Sequence, residues 1–255
     1  MLSSAWRAVV FDVDGTLVDS ERDGHRVAFN AAFAASGLPY RWGVPEYGRW
    51  LTIAGGRNRL TAFLESEGYD PRRAAALAAR LHSDKTFRMR EFVRHGMINP
   101  RPGVLELLGR LRGAGVTLAV ATTGSRDWAE PLLHRLFGDG MFAVMLTGTE
   151  VPALKPDPAV YLEALRRLNV PADRALAVED SRNGLRAARA AGMSCVVVTN
   201  DYTAESNFSG AAAVYDGFES CLADRDGPLW GDRLAVRAPR VRGGRAPDVA
   251  GHAGS

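Results

Sequence analysis

The hydrophobic pattern of the chain alternates between short apolar runs and longer segments with helical spacing. In the longer segments apolar residues recur every three to four positions, as on one face of an amphipathic helix. The short runs lack polar alternation, which is typical of strands buried on both faces of a parallel sheet. The predicted strands are residues 7–11, 116–122, 142–148, 175–180 and 194–200, with helical patterns between them at 104–112, 158–170 and 181–192. This order predicts an α/β fold with a doubly wound, Rossmann-like parallel sheet.

The first and second predicted strands are separated by a stretch without any strand pattern, residues 21 to about 98. Helical spacing recurs there over residues 26–37, 59–68 and 72–93. A single strand–helix–strand connection needs only about 30 residues. We therefore expect an inserted α-helical cap domain at residues 19–99.

The insertion divides the predicted core domain into residues 1–18 and 100–224. We expect hinges near residues 16–21 and 96–102, the second of which contains Gly and Pro. Both hinges lie at the carboxyl edge of the predicted sheet, where ligands bind in this architecture. The cap is therefore expected to act as a lid over the site.

Charge is unevenly distributed along the 255 residues, whose formal net charge is +3 at pH 7. Residues 225–255 contain six Arg and three Asp, so this segment carries the whole net charge and the remaining chain is neutral. A neutral body has no basic stripe to follow a phosphate backbone, and we expect no nucleic-acid partner. The segment is rich in Gly, Pro and Arg with little to bury, which predicts a disordered tail at 225–255.

Neither a membrane span nor a secretory leader is indicated. No apolar stretch approaches the roughly 20 residues that cross a bilayer, and MLSSAWRAVVF runs directly into the first predicted strand. We therefore expect a soluble, cytoplasmic protein without a membrane partner, and a monomer. Cys195 and Cys221 have no metal-type spacing, and we expect reduced thiols.

Two carboxylates, Asp12 and Asp14, directly follow the first predicted strand. Residues i and i+2 of a strand face the same side, and Gly15 allows a sharp turn behind them. Close carboxylates repel each other unless a cation lies between them, and Mg²⁺ with oxygen ligands meets that need. Taken alone, the motif is equally compatible with a polar turn that ends a strand.

Groups that suit phosphate and metal binding also lie at or just beyond the ends of other apolar runs. They are the hydroxyls, amides, cation and carboxylates of Thr122, Thr123, Gly124, Ser125, Lys155, Glu179 and Asp180. Each has an alternative interpretation as a turn hydroxyl, a solvated lysine or a helix cap. Because the carboxyl ends of parallel strands meet at one edge, their joint occurrence predicts a site that binds phosphate and Mg²⁺.

The motifs DVDGT, AVATTGS, LKPDPAVY and VEDSRNG resemble, in this order, the four motifs of the haloacid dehalogenase superfamily over roughly residues 6–220. The resemblance implies that Asp12 is a nucleophile that forms an aspartyl-phosphate, and that Asp14 is the general acid and base. It implies further that Thr122 and Lys155 hold the transferring phosphoryl group.

The same resemblance implies a magnesium site formed by Asp12, Asp180 and the carbonyl of Asp14, with Glu179 assisting. Phosphoryl transfer depends mostly on positioning and charge neutralisation, which this set of groups can provide. Asp14, Lys155 and the second acidic pair together match the phosphotransferase branch of the superfamily. A haloalkanoic acid dehalogenase is therefore disfavoured.

The predicted cap contributes candidate substrate-binding residues. Gly55 and Gly56 would let the backbone approach a ligand. Arg57 and Arg59 would add guanidinium groups for a phosphate or for sugar hydroxyls, although a loop with solvated arginines is an alternative.

Glu21 and His25 lie just beyond the first hinge, where cap closure would bring them to the substrate, although a histidine at a helix start is often structural.

With the segments INPRPGV and ATTGS, the cap motifs resemble the CbbY-type proteins encoded beside Calvin-cycle genes. That group implies hydrolysis of xylulose 1,5-bisphosphate to xylulose 5-phosphate, with the arginines holding the distal phosphate. The chain has TIAGG where TTGG is more usual. A β-phosphoglucomutase-like mutase and a broad-range sugar-phosphate phosphatase are the alternatives.

Overall fold

The computed structural model describes residues 6–53 and 55–230. Its strands are β1 (Ala8–Phe11), β2 (Thr117–Ala121), β3 (Val144–Leu146), β4 (Ala175–Glu179), β5 (Ser194–Val198) and β6 (Ala213–Tyr215). They form one six-stranded parallel sheet in the order β3-β2-β1-β4-β5-β6. This confirms the predicted doubly wound sheet, whose strand order reverses between β1 and β4. The prediction omitted β6, because three residues are too few to give a periodic pattern.

Nine α-helices occur in the described part of the chain. They are α1 (Arg26–Ala35), α2 (Val44–Trp50), α3 (Gly56–Ser66), α4 (Pro71–Arg94), α5 (Val104–Gly113), α6 (Arg126–Phe137), α7 (Ala159–Leu168), α8 (Arg182–Ala190) and α9 (Phe218–Ala223). The sequence pattern did not predict α2, α6 and α9. Two of these have only 7 and 6 residues, and α6 contains Pro131, which is atypical of a helix interior.

Strand β1 shows why the core strands are apolar throughout. All of its residues are buried. Val9 and Phe11 point into one hydrophobic cluster, which contains residues of α5 and α6. Ala8 and Val10 point into the opposite cluster, which contains residues of α7 and α8. Because alternate side chains meet helices on opposite faces, neither face tolerates a polar residue.

The helices α1 to α4 are inserted between β1 and β2 and have a hydrophobic core of their own. Aromatic rings dominate it: Phe33 and Phe63 each make perpendicular contacts with Trp42, with ring centroids 5.0 Å apart. The two connections to the sheet run side by side. Val18 of the first pairs antiparallel with Pro100 of the second, which fixes where the inserted helices meet the sheet.

The carboxyl-terminal boundary of the core differs from the prediction. Leu229 and Trp230 are buried in the cluster that packs against β1. Trp6 donates its indole N–H to the Pro228 carbonyl at 2.6 Å, so the segment is also tied to the start of the core. The core therefore extends to Trp230, and a tail starting at residue 225 was placed too early. Residues 231–255 of the predicted tail lie outside the described residues.

Across the described residues, the helices lack the length and apolar content that a membrane crossing requires. Cys195 and Cys221 are both buried and free.

Candidate active site

Asp12 directly follows β1 and is fixed by the neighbouring strand. Its N–H donates to the Val178 carbonyl at 3.0 Å, which continues the pairing of β1 with β4. The chain then turns at Gly15, where φ is +81°. A Cβ at Gly15 would lie 2.2 Å from Asp180 Oδ2. Glycine therefore lets the ends of β1 and β4 approach closely enough to bring their carboxylates together.

Lys155 joins the ends of three strands through its ammonium group. Nζ donates to Asp12 Oδ1 and to Glu179 Oε1, each at 2.6 Å. It donates also to the Ala121 carbonyl at 2.7 Å. Burial alone would lower the pKa of Lys155, but the two carboxylates outweigh it and raise the pKa above its ordinary value. Lys155 is therefore charged and holds Asp12 in a defined orientation.

Asp12, Glu179 and Asp180 form an acidic cluster, in which one carboxylate oxygen of each lies within 4.8 Å of the others. Burial is the largest cause that raises the pKa of Asp12, to about 7. Burial and the two neighbouring carboxylates raise the pKa of Asp180 well above its ordinary value. When all three carboxylates are ionised, Lys155 offsets only one of the negative charges. A hard divalent cation with oxygen ligands fits this set of donors, because it would neutralise the remaining charge.

Asp14 faces the connection to the cap. Ser20 donates its hydroxyl to Asp14 Oδ1, and His25 Nε2 lies 3.6 Å from the same oxygen. Both belong to the π-helical turn Ser20–His25, an irregularity that is frequent at functional sites. Burial, followed by the charges of Glu21 and Asp12, raises the pKa of Asp14 to about 8. A raised pKa favours the protonated form of Asp14, the state in which a carboxyl group can donate a proton.

The turn after β2 brings the predicted phosphate-binding residues against Asp14. Thr122 is buried, and its Oγ1 accepts the N–H of Gly124 at 3.0 Å, which fixes the turn. A Cβ at Gly124 would lie 3.3 Å from Asp14 Oδ2. Ser125 is the N-cap of α6, and Thr123 is exposed. The first N–H groups of α6 thus lie at the turn that meets Asp14, which suits phosphate oxygens.

Glu21 is connected to the cap by a chain of hydrogen bonds. Tyr47 Oη donates to Glu21 Oε2 at 2.5 Å and accepts from Arg59 Nη1 at 2.8 Å. Arg59 is buried, and other donors of its guanidinium group bind the carbonyls of Trp50 at 2.9 Å and Ile53 at 3.4 Å. The structure therefore places Arg59 inside the cap, where it supports Tyr47 and Glu21.

The other predicted cap residues lie at the start of α3. Gly55 and Arg57 are exposed, and in the part of the chain that the structure describes Arg57 forms no ion pair. A Cβ at Gly56 would lie 3.0 Å from the His82 ring, so this glycine lets α3 approach α4 closely. Arg57 is thus available to an anionic ligand, whereas Gly56 serves the packing of the cap.

Lys85 of α4 adds a cation that the sequence analysis missed. Its side chain is buried, and Nζ lies 5.1 Å from the centroid of the Phe29 ring. Burial lowers the pKa of Lys85 to about 8, although the charges of Glu21 and Asp14 act in the opposite direction. The charge of Lys85 therefore acts both on Asp14, the candidate proton donor, and on Glu21, a candidate substrate-binding residue.

His25 is neutral in this environment. Burial, followed by the charges of Lys85, Arg59 and His82, holds the pKa of His25 well below its usual range. Its Nδ1 is buried and has no hydrogen-bond partner among the described residues. A buried polar atom without a partner costs free energy, so a ligand hydroxyl at Nδ1 would be favourable.

The comparisons with known proteins agree with this geometry. The sequence model of the haloacid dehalogenase-like hydrolase family matches residues 6–192. Protein CbbY of Cereibacter sphaeroides is 43% identical over 214 residues, which cover 83% of this chain and 92% of the relative. Phosphoglycolate phosphatase 1 of Pseudomonas aeruginosa is 31% identical over 202 residues, with 77% and 70% covered. A solved structure of mutant CbbY from Rhodobacter sphaeroides in complex with xylulose-(1,5)bisphosphate gives a TM-score of 0.75 at 40% identity, covering 89% of this chain and 100% of that one.

Proposed function

Because the chain belongs to the haloacid dehalogenase-like hydrolases, we propose that it is a Mg²⁺-dependent phosphatase that converts xylulose 1,5-bisphosphate to xylulose 5-phosphate and phosphate. The observation that carries the chemistry is Lys155 bound to both Asp12 and Glu179, beside the buried Asp14, whose pKa is raised. The CbbY relative that was solved with this bisphosphate supports the choice of substrate.

The first half of the reaction would transfer the phosphoryl group to Asp12. The carboxylate oxygen that Lys155 leaves free attacks phosphorus, and the bond from phosphorus to the sugar oxygen breaks. Asp14 gives its proton to that oxygen, so the sugar leaves as an alcohol. Thr122 and the N–H groups of its turn would hold the phosphoryl oxygens in line.

The second half would return the enzyme to its starting state. Asp14, now ionised, takes a proton from a water molecule as that water attacks phosphorus. The bond between phosphorus and Asp12 breaks, which releases phosphate and regenerates the carboxylate. Lys155 stabilises this carboxylate in both half-reactions, because its contact with Asp12 needs no rearrangement.

Mg²⁺ is the cofactor that fits the acidic cluster. Asp12, Asp180 and the carbonyl of Asp14 would hold it, while Glu179 would assist by holding Lys155. When bound, it supplies neutralisation of the carboxylates and of the phosphoryl oxygens. The raised pKa values of Asp12 and Asp180 support this assignment, since burial of both carboxylates is otherwise unfavourable.

The cap would select the substrate. Arg57 and Lys85 are the cap cations that we propose for the distal phosphate, and Arg59 would act through Tyr47 and Glu21 instead of binding substrate directly. Glu21 and the unpartnered Nδ1 of His25 would accept or donate hydrogen bonds at the sugar hydroxyls. A bisphosphate suits this arrangement because its two ends meet separate sets of positive charges.

Phosphate release from a panel of sugar mono- and bisphosphates with Mg²⁺ tests the proposal. We expect kcat/KM for xylulose 1,5-bisphosphate to exceed that for ribulose 1,5-bisphosphate by about 10- to 100-fold, the difference that a hydrogen bond to a misplaced hydroxyl can cost. Similar rates across the panel would instead indicate a broad-range phosphatase. Conversion of β-glucose 1-phosphate to glucose 6-phosphate with little free phosphate would indicate a mutase and overturn the proposal.

A pH dependence should reveal the role of Lys85. Its pKa is lowered to about 8, so the side chain is charged below that pH and neutral above it. We expect KM for the bisphosphate to rise as the pH increases through about 8, because a cation on the distal phosphate is lost. Lys85→Met should raise KM about 10-fold or more at neutral pH and weaken this dependence.

Lys85→Arg is the matched control, since an arginine keeps its charge over this range. Its KM should therefore rise less with pH than that of the wild type, although Asp14, whose pKa is about 8, still changes its charge there. Steady-state kinetics from about pH 7 to about pH 9 measures both variants. A wild-type KM that is constant over this range would contradict the role of Lys85 in binding phosphate.

A further inference from the structure

The loop after β5, residues 199–203 and called the β5 loop below, begins at the acidic cluster. Asn200 Nδ2 donates to Asp180 Oδ2 at 2.7 Å and to the Gly15 carbonyl at 3.2 Å. Its Oδ1 accepts the backbone N–H of Tyr202 at 2.9 Å. Both ends of the amide are therefore bound, and the orientation of Asp180 depends on the conformation of the β5 loop.

The next two residues of the β5 loop contact the cap. Asp201 Oδ2 accepts from Arg22 Nη1 at 2.9 Å in an exposed ion pair, which contributes little by itself. The Tyr202 ring packs against that of Tyr47 in α2, with centroids 5.9 Å apart. A Cβ at Gly48 would lie 2.9 Å from Tyr202 Cδ1, so the ring occupies the space that this glycine leaves. Packing of Tyr202 on α2 is thus the main contact.

The same helix orients a candidate substrate residue. Tyr47, which meets the Tyr202 ring, also donates its hydroxyl to Glu21 at 2.5 Å. The Tyr202 hydroxyl is buried and has no hydrogen-bond partner among the described residues. The ring of Tyr202, and not its hydroxyl, therefore carries the contact between core and cap.

On the premise of the proposed function, we infer that the β5 loop couples closure of the cap to the orientation of Asp180, with Asn200 as the positioning residue. The physical link is the N–H of Tyr202. When α2 moves away, Tyr202 loses its packing partner, and a shift of its backbone breaks the shorter of the two hydrogen bonds that hold Asn200 Oδ1. The other bond comes from Thr203 Oγ1 at 3.3 Å, so Asn200 is then held less firmly against Asp180. Coupling is reciprocal, so a cation bound at Asp180 should also favour the closed cap.

The binding of Mg²⁺ alone, measured by isothermal titration calorimetry without substrate, tests this coupling. We expect Asn200→Ala to raise the dissociation constant about 10-fold or more, as for other residues that orient a metal ligand. Tyr202→Ala and Gly48→Ala should raise it about 5-fold, although neither residue touches Asp180. Gly48→Ala acts from the cap side, and alanine is the better helix former, so the helix itself is not weakened.

Two variants serve as matched controls. Tyr202→Phe keeps the ring and loses only an unpartnered hydroxyl, so its Mg²⁺ affinity should equal that of the wild type. Gly109→Ala places a methyl group on another helical glycine, with nothing within 4 Å, and should likewise have no effect. Thermal unfolding of each variant shows whether the fold is retained.

The outcomes separate the coupling from the proposed function. If the dissociation constants of Tyr202→Ala and Gly48→Ala for Mg²⁺ stay within about 2-fold of the wild-type value, the coupling is overturned, since it requires a larger loss of affinity. If Asn200→Ala binds normally, Asn200 is not a positioning residue. A wild-type chain that binds no Mg²⁺ would instead overturn the proposed metal-dependent function itself.

Discussion

Asp12→Asn should lower kcat by about 10⁴-fold or more, the size of loss that follows removal of a covalent nucleophile. An amide oxygen does not attack phosphorus, and Asp12 is the carboxylate that Lys155 holds at the end of β1. Binding should survive, because Thr122, the turn after β2 and the cap are unchanged. Phosphate release at saturating Mg²⁺ measures the loss, and calorimetry with xylulose 1,5-bisphosphate measures the retained binding.

Asp23→Asn is the matched control for this variant. Asp23 is an exposed aspartate of the π-helical turn Ser20–His25, and its carboxylate binds only Arg22 in the described structure. Its kcat should stay within about 2-fold of the wild type, as for most surface substitutions. Turnover of Asp12→Asn above about 1% of the wild-type rate would contradict a covalent mechanism. It would indicate that the group that attacks phosphorus is not Asp12 and is still present in the variant.

The core half of the site could be predicted because its residues lie at strand ends. A buried strand is visible as an apolar run, and the polar residue that follows it must lie at the edge of the sheet. Asp12 and Asp180 were found in this way, and the structure brings them together. Lys155 lies in the loop between β3 and α7, and its place between an apolar run and a helix start indicated it instead.

The cap half was less predictable because its polar residues sit among apolar ones. Lys85 lies on the buried face of α4, four positions from Leu81 and from Met89, where a helical pattern predicts only packing. The rarity of lysine was a second signal for Lys85. This arginine-rich chain has only two lysines, Lys85 and Lys155, and both side chains are buried. A charge at a core position of a helix is costly, and it therefore indicates function.

Contacts between distant segments left no signal in the sequence. Ser20 and Asn200 have short polar side chains in turns, where such residues are common for reasons of local geometry. Their bonds to Asp14 and Asp180 join positions that only the folded chain brings together. The same limit explains the boundary at Trp230, because burial of an aromatic residue after the last helix depends on which surface it meets.

Lys155→Met should combine a large loss of activity with a large loss of stability. Without Lys155, the three carboxylates of the acidic cluster remain close together without a cation. Removing one partner of a buried ion pair costs about 3–5 kcal/mol, and we expect the free energy of unfolding at about pH 9 to fall by about that amount without Mg²⁺. We expect kcat to fall by about 10³-fold or more, because neither Asp12 nor the transferring phosphoryl group keeps its positive partner.

The loss of stability should depend on pH in a defined direction. Burial raises the pKa of Asp12 to about 7 and that of Asp180 well above its ordinary value, and removal of Lys155 would raise both further. Wild-type Asp12 ionises at about pH 7, whereas in the variant it would ionise only at a higher pH. The extra cost of the substitution should therefore be small at about pH 6, where the carboxyl group is protonated in both proteins, and largest at about pH 9.

Denaturant unfolding at both pH values, with and without Mg²⁺, measures this dependence. Added Mg²⁺ should restore part of the stability at about pH 9, since a ligand of the folded state stabilises it. Lys85→Met is the control, because it removes the other buried lysine, which lies outside the acidic cluster. The stability of this variant should respond less to Mg²⁺ than that of Lys155→Met. An equal cost for Lys155→Met at both pH values would show that lost packing, and not unpaired carboxylate charge, causes the instability.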